Sequence, residues 1–141
     1  MAMGRISIKR VYAPPAGTDG FRVLVDRLWP RGLSKASARV DLWLRDLGPS
    51  TALRKWFNHD PARWKSFCTR YRAELRRKPR LLAALREQLR RGPVTLLYGA
   101  RDERFNQAVV LQQMLKKRAT RRPTVNARSR RLRGTQPAGR S

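Results

Sequence analysis

Hydrophobic residues are concentrated in two short runs of the chain, in which Thr95 is the one polar residue. Val23–Val25 and Val94–Tyr98 each have glycine or proline a few residues away on either side. Apolar runs of this length are typical of strands that are buried on both faces of a sheet. The segment Arg5–Tyr12 instead alternates apolar and polar residues, which predicts a half-exposed strand. Its connection to the next strand is too short for a helical crossover, so we expect these two strands to be either antiparallel neighbours or not adjacent.

Helical spacing of apolar residues follows the first buried strand. The chain is predicted to become helical after Ser34, because apolar side chains recur three and four residues apart from Val40 to Leu47, and this helix is predicted to end at Gly48-Pro49. Ser50 is a suitable N-cap for a short following helix. Asp60-Pro61 combines a capping carboxylate with proline at the first helical position, and so predicts the start of a longer helix. The apolar stripe predicted to face the core on that helix comprises Trp64, Phe67, Cys68, Tyr71 and Leu75.

Two further helices are predicted, one on each side of the second buried strand. Pro79 ends the preceding helix, and leucines at helical spacing then predict a helix that stops at Gly92-Pro93. After the strand, Asp102-Glu103 is predicted to open the last helix, with Ala108, Leu111 and Leu115 on its inner side. Buried strands joined by helices favour parallel pairing. The sequence therefore predicts a layered α/β domain whose small sheet contains two parallel buried strands.

Charged and aromatic residues follow each buried strand. The carboxyl ends of parallel strands meet at one edge of a sheet, where open α/β sheets bind their ligands. Guanidinium groups suit phosphate or carboxylate, and aromatic rings can stack on a flat molecule. We therefore expect an anionic, phosphorylated or nucleotide-like small molecule to bind at this edge, beside the free amides at the start of the last helix. The predicted ligand-binding residues are Arg27, Trp29, Arg31, Tyr98, Arg101 and Asn106.

Two residues are candidates for acid–base catalysis. Asp26 directly follows a buried strand, and His59 is the only histidine, hence the only side chain with an unperturbed pKa near neutrality. Structural roles are the alternatives: Trp29 would belong to the core, Asp26 would pair with a nearby arginine, and His59 would pack on Trp56. Neither cysteines nor histidines have the spacing of a zinc site, and no cofactor is indicated.

The formal net charge of +25 is divided between two parts of the chain. Ten of the 34 basic residues and none of the nine acidic ones lie from Lys116 onward. Such a field attracts polyanions without specifying any one of them. Residues 119–141 contain almost nothing apolar, and we predict that they form a disordered, arginine-rich tail after a domain of residues 1–118. The tail is expected to contact nucleic acid nonspecifically.

The remaining composition bears on the cellular compartment. A single cysteine cannot form an internal disulfide, no apolar run approaches the roughly 20 residues that span a bilayer, and the N-terminus lacks the apolar core of a signal peptide. We therefore expect a cytoplasmic protein that does not associate with membranes. Cys68 lies on an apolar stripe and is expected to act as a small buried hydrophobe rather than as a reactive thiol.

Three segments, which match in order, resemble the YeaO-like group of the domain-of-unknown-function 488 family. They are the two strand-and-turn segments around Asp19–Ser34 and Pro93–Asp102, and Leu53–Pro61 between them. The resemblance covers roughly residues 5 to 118. It implies a His-Asn pair opening the last helix, but here Phe105 stands in the place of that histidine before Asn106. An activity that needs two histidines is therefore not carried over by the resemblance.

Three functions are compatible with these features. The first is a small-molecule site at the sheet edge, with or without catalysis by Asp26 or His59. The second is a non-enzymatic, nucleic-acid-associated protein that contacts phosphates through its basic surface and tail. The third is a partner for an acidic protein. A fold alone does not distinguish them, whereas the convergence of Asp26, Arg31, His59, Tyr98 and Asn106 on one pocket would favour the first.

Overall fold

The computed structural model describes residues 4–120, with side chains described as far as Lys116. Within this range the chain forms four strands, five helices and three short 3₁₀ turns. The strands and helices, in chain order, are β1 (Ile6–Arg10), β2 (Phe21–Leu24), α1 (Lys35–Ala38), β3 (Leu42–Trp43), α2 (Thr51–Phe57), α3 (Trp64–Arg76), α4 (Pro79–Arg91), β4 (Val94–Tyr98) and α5 (Gln107–Thr120). The 3₁₀ turns are Gly17–Asp19, Arg45–Leu47 and Pro61–Arg63.

The four strands form one parallel sheet in the order β1-β4-β2-β3. Val94 of β4 pairs with Ile6 on one side and with Phe21 on the other, and all five β4 residues are buried. The predicted α/β fold with two parallel buried strands is therefore confirmed. The prediction for β1 and β2 is also confirmed, because β4 lies between them and they are not adjacent.

Alternate residues of the sheet enter two apolar cores. The larger core lies under helices α2 to α5 and includes Phe67, Tyr71 and Leu111. The smaller core lies on the opposite face, where Leu24 and Leu97 pack under α1 and the loops beside it. The period of two along each strand explains this division, since successive side chains point to opposite faces.

A buried charge cluster fixes the connection between β1 and β2. Arg22 donates to Asp19 at 2.5 Å and Lys9 donates to the same carboxylate at 2.9 Å, although Asp19 is only 7% exposed. Burial alone would raise the pKa of Asp19, but hydrogen bonds from the Ala16 amide, Lys9 and Arg22 hold it below its ordinary value. The hydroxyl of Thr95 donates to the Asp19 carbonyl at 2.7 Å, which attaches the crossing loop to the central strand.

The helix predicted after Ser34 is confirmed at its start, where Ser34 caps α1, but its continuation from Val40 to Leu47 is wrong. The first helix ends at Ala38, Arg39 follows in the left-handed region (φ 49°), and Leu42–Trp43 forms the edge strand β3. The backbone amides of Asp41 and Leu44 donate to carbonyls of β2, both at 2.9 Å. Pairing with the open edge of β2 therefore overrides the local helical spacing, as tertiary context often does.

The predicted start of the last helix is also wrong, by five residues. The Asp102 carboxylate accepts hydrogen bonds from the amides of Arg104 and Phe105 (2.8 and 3.0 Å), which closes a turn rather than a helix. Asn106 then caps α5, since its side-chain oxygen accepts from the Val109 amide at 3.2 Å.

The other predicted helix starts are confirmed. Ser50 accepts from the Leu53 amide at 3.1 Å, and Asp60 accepts from the Ala62 amide at 3.0 Å at the head of the turn that leads into α3. These contacts satisfy amides that a helix end would otherwise leave unpaired.

The predicted tail, residues 119–141, lies outside the described residues apart from its first two, which end α5. In the described part of the chain, no helix is long and apolar enough to cross a membrane. Cys68 is half-buried against the larger core, and burial raises the pKa of its thiol.

Candidate functional site

A cleft of about 280 Å³ opens at the carboxyl ends of β2 and β4. Its walls come from the loop after β2, from α2 with the turn that follows it, and from residues 99–107 before and at the start of α5. This is the sheet edge at which the strand pattern predicts a ligand site. We call it the Asp26 cleft, after the residue at its floor.

Asp26 is held between the ends of the two central strands. The Gly99 amide donates to one carboxylate oxygen at 2.7 Å, and the side-chain amide of Gln107 donates to the other. A Cβ atom at position 99 would lie 2.8 Å from the carboxylate, so the contact depends on glycine there. Asp26 thus bonds to two amides, rather than pairing with an arginine as the structural alternative proposed.

Burial changes the acidity of Asp26. It raises the pKa of this carboxyl to about 6, although hydrogen bonds from Gly99 and Gln107 and the charge of Arg54 act in the opposite direction. A carboxyl group with a pKa this close to neutrality can exchange a proton under physiological conditions. Perturbed acidity in a cleft is a recognised mark of a functional site.

Arg54 is a cation of the cleft that sequence reasoning missed. It is exposed on α2 and lines the cleft, close enough to Asp26 for its charge to lower the pKa of the carboxyl. No motif marks it, and the available signal was its helical spacing of three residues from Phe57, which places both on one side of α2. Gln107, which donates to Asp26, was also not predicted, although it directly follows the predicted Asn106.

His59 lies at the rim of the cleft. It is exposed, and both Asn58 and His59 have left-handed backbone conformations (φ 47° and 55°). Two successive residues of this kind are unusual outside glycine and store backbone strain of order 1 kcal/mol or more each. The imidazole lies 6.4 Å from the Phe57 ring, centroid to centroid, so its aromatic neighbour is Phe57 rather than the expected Trp56.

Arg27 and Trp29 line the cleft but also have structural contacts. The Arg27 guanidinium donates to the carbonyls of Gly48 and Pro49, each at 3.0 Å, and thereby positions the turn before α2. The Trp29 indole donates to the Leu33 carbonyl at 2.7 Å and packs edge-on against Trp43. Trp29 therefore belongs both to the smaller core and to the wall of the cleft.

Three predicted ligand-binding residues do not line the cleft. Tyr98 is only 2% exposed and belongs to the larger core, so its ring is not available for stacking on a ligand. Its pKa is raised first by burial and then by the charge of Glu103, and it hydrogen-bonds with Asn106. Arg31 and Arg101 are exposed and lie outside the lining.

The structure thus brings five of the eight predicted site residues to one cleft: Asp26, Arg27, Trp29, His59 and Asn106. Asn106 does so as the cap of α5, and its side-chain amide donates to the Asp102 carbonyl at 2.8 Å. Before α5, the amides of Arg104 and Phe105 donate to Asp102, and within its first turn the Val109 amide donates to Asn106, so these three amides already have hydrogen-bond partners.

The rim of the cleft is unusually apolar. Tyr12 and Leu28 are 40% and 62% exposed, and they are the exposed large hydrophobic residues of the described chain. Both line this cleft. Phe105 adds a half-buried ring to the wall and packs against Trp64 at 5.2 Å, in the place where the family resemblance implies a histidine. Exposed apolar surface concentrated at one cleft is typical of a binding site.

Comparison with known proteins identifies relatives over most of the chain. Residues 5–131 match the sequence model described as "Inactive DUF488-N3 subclade". The chain is 40% identical over 111 residues to "Uncharacterized protein YeaO" of Escherichia coli (strain K12), an alignment that covers 79% of this chain and 96% of that protein. It is 41% identical over 111 residues to "Uncharacterized protein Mb3100c" of Mycobacterium bovis, covering 79% and 93% respectively. No solved structure matches the chain significantly.

Proposed function

This chain belongs to the DUF488 family, and from that premise we propose that it binds a small anionic molecule in the Asp26 cleft without converting it. Two observations support binding without turnover. The matching subclade is described as inactive, and Phe105 stands where the family resemblance implies a histidine. Asp26 and His59 then serve as hydrogen-bonding groups rather than as catalysts.

The observation that carries this proposal is a half-buried carboxylate, whose pKa is raised by burial, in a cleft whose rim is apolar. Burying the Asp26 charge costs stability, as its raised pKa indicates, and exposing Leu28 to water gains nothing for the fold. Neither feature is needed to pack the sheet. Both are useful to a protein that receives a partly apolar ligand bearing hydrogen-bond donors.

The lining defines the chemistry of that ligand. Its N–H or O–H donors meet Asp26, its flat apolar part lies against Phe105 and Tyr12, and its anionic group meets the guanidinium of Arg54. The volume of about 280 Å³ lies just below the range for small-molecule pockets, roughly 300–1,000 Å³. A mononucleotide or a molecule of similar size fits these requirements better than a dinucleotide.

A thermal-shift screen of nucleoside monophosphates and sugar phosphates tests the proposal. A bound compound should raise the melting temperature, and calorimetry then gives its affinity. Arg54→Gln should weaken binding at least about tenfold, because hydrogen bonds to charged groups contribute on the order of 1.5–3 kcal/mol. Lys55→Gln is the matched control, since it removes one exposed cation from the same helix outside the cleft. Failure of every compound, or equal affinity for Arg54→Gln and wild type, would contradict the proposal.

Turnover is tested separately with the compound that binds best. NMR spectra of that compound should remain unchanged during incubation with the wild type. Phe105→His places an imidazole in the cleft wall, and product formed by this variant but not by the wild type would identify Phe105 as the reason for inactivity. Product formed by the wild type would contradict binding without conversion.

A second candidate function is nonspecific association with nucleic acid. Its support is the charge distribution, since basic residues without any acidic ones follow from Lys116 to the end of the chain. Such a segment binds phosphates by releasing counterions and requires no cleft. The two functions are compatible within one protein.

A further inference from the structure

A second opening, on the other side of Arg27, lies outside the Asp26 cleft. It has a volume of about 640 Å³ and lies between the turn Arg45–Leu47 and the junction of α3 with α4. We call it the corner notch. Its charged lining residues are Arg27, Asp46, Arg77, Lys78 and Arg80.

The lining of the corner notch contains four positively charged side chains and one negatively charged side chain. The Asp46 carboxylate lies 3.6 Å from Arg27 and is 68% exposed, so solvent weakens its contribution. The Lys78 ammonium donates to the Asp46 backbone carbonyl rather than to its carboxylate. Arg77 and Arg80 are exposed at the mouth of the notch. The notch therefore holds more cationic groups than its own carboxylate neutralises.

The environment of Lys78 is consistent with this excess. Its pKa is lowered first by burial and then by the charge of Arg27, while Glu74 and Asp46 act in the opposite direction. In addition, no side chain of the described residues caps the N-terminus of α4, which begins at Pro79 on the wall of the notch. The partial positive charge of that helix end adds to the charge of the side chains.

We propose that the corner notch binds phosphate groups, either of a free oligophosphate or of a nucleic-acid backbone. Arg77 and Arg80 supply planar donor groups that match phosphate oxygens, and Lys78 supplies an ammonium group behind them. An opening of this size accommodates more than one phosphate group. The site does not depend on the Asp26 cleft, although Arg27 lines both and is therefore unsuitable as a test residue.

Two double variants of equal net charge test the notch. Arg77→Gln with Arg80→Gln removes two exposed cations from its lining. Arg90→Gln with Arg91→Gln removes two exposed cations from the far end of α4, outside the notch. Both are made in the full chain, so any contribution from the basic residues after Lys116 is the same in each. Circular dichroism and melting temperature establish that both variants fold.

The probes are sodium tripolyphosphate, measured by calorimetry, and a fluorescent single-stranded oligonucleotide, measured by anisotropy over a range of salt concentrations. For at least one probe, the notch variant should lose roughly tenfold or more in affinity while the control variant stays close to wild type. For the oligonucleotide, loss of two phosphate contacts should reduce the slope of log K against log salt by about 1.4.

The two probes also distinguish the source of the phosphate. Loss for tripolyphosphate alone supports a free oligophosphate as the ligand, and loss for the oligonucleotide alone supports a nucleic-acid backbone. Equal losses in the two double variants would overturn the proposal, because they would reflect diffuse surface charge. So would the absence of measurable wild-type binding to both probes at physiological salt.

Discussion

Replacing Asp26 by asparagine should stabilise the protein at neutral and alkaline pH. Asparagine has nearly the same shape as the protonated carboxyl group but never becomes charged. Its side-chain oxygen can still accept from the Gly99 amide, and the Gln107 side chain can rotate to present its oxygen to the new amide. The substitution therefore removes a buried charge and preserves the hydrogen bonds around it.

The magnitude follows from the pKa of Asp26. Burial raises this pKa from the ordinary value of 3.8 to about 6, so the folded protein holds the proton more tightly than the unfolded chain does. Stability contributed by this group is fully present below about pH 4 and is lost as the pH rises through about 6. A difference of about two pKa units corresponds to about 3 kcal/mol. Asp26→Asn should recover up to that amount at pH 8 and little at pH 4.

Urea unfolding, followed by tryptophan fluorescence at pH 4 and at pH 8, measures both values. Glu87→Gln is the control, because Glu87 is 53% exposed and pairs with arginines at the surface of α4. Its free energy of unfolding should stay within about 0.5 kcal/mol of the wild type at both pH values. If Asp26→Asn is no more stable than wild type at pH 8, or gains the same amount at both pH values, the reasoning about the buried charge is refuted.

Three further predictions concern the scaffold and the tail. Asp19→Asn leaves the buried Arg22 without its carboxylate and should cost about 3–5 kcal/mol of stability at pH 7. Because the pKa of Asp19 is lowered in the folded protein, this loss of stability should shrink below about pH 4. A loss that urea unfolding finds to be independent of pH would contradict this prediction. Tyr71→Phe removes the hydroxyl that donates to the buried Leu47 carbonyl at 2.5 Å and should lower the free energy of unfolding by about 1–3 kcal/mol. A decrease below about 0.5 kcal/mol in the same assay would show that this hydrogen bond contributes little. Deletion of residues 121–141 should leave the melting temperature unchanged and reduce the salt dependence of oligonucleotide binding, and a large fall in melting temperature would place part of the deleted segment within the fold.

Long apolar runs and capping residues predicted most of the fold. β4 is buried on both faces because it lies at the centre of the sheet, and a mostly apolar run is most informative for a strand in this position. Ser50 and Asp60 marked helix starts because their side chains bond to amides within three residues, which makes the signal local. Features that depend on nearby residues were thus predictable.

The errors concern places where one local pattern is compatible with two structures. Leu42–Trp43 forms a strand because the edge of β2 is free to pair with it, which no local spacing can indicate. Asp102 closes a turn instead of capping a helix because Asn106, four residues later, provides the cap. In the first case a distant contact decided between the two structures, and in the second a competing cap a few residues away did so.

The sequence predicted the location of the candidate site better than it predicted the residues that line it. The strand ends brought Asp26, Trp29 and Asn106 to one cleft, as the parallel topology requires. Tyr98 was misplaced because strand alternation directs its ring into the larger core. Arg54 reaches the cleft from α2, which is not adjacent to either strand in sequence. Its position follows from the packing of that helix, and this could not be read from the pattern alone.

The strongest argument for a ligand site is that two unfavourable features coincide at one place. The half-buried carboxylate of Asp26 lowers the stability of the folded state by the amount that Asp26→Asn should recover, and Leu28, on the same cleft, is 62% exposed. If the cleft were only a packing irregularity, a neutral residue at position 26 and a polar one at position 28 would each be better for the fold. A bound ligand resolves both, because it covers the apolar rim and offers hydrogen-bond donors to the carboxylate. We expect Asp26→Asn to be more stable than the wild type and to bind the screened ligand more weakly. That result would show that Asp26 lowers the stability of the fold and is needed for ligand binding.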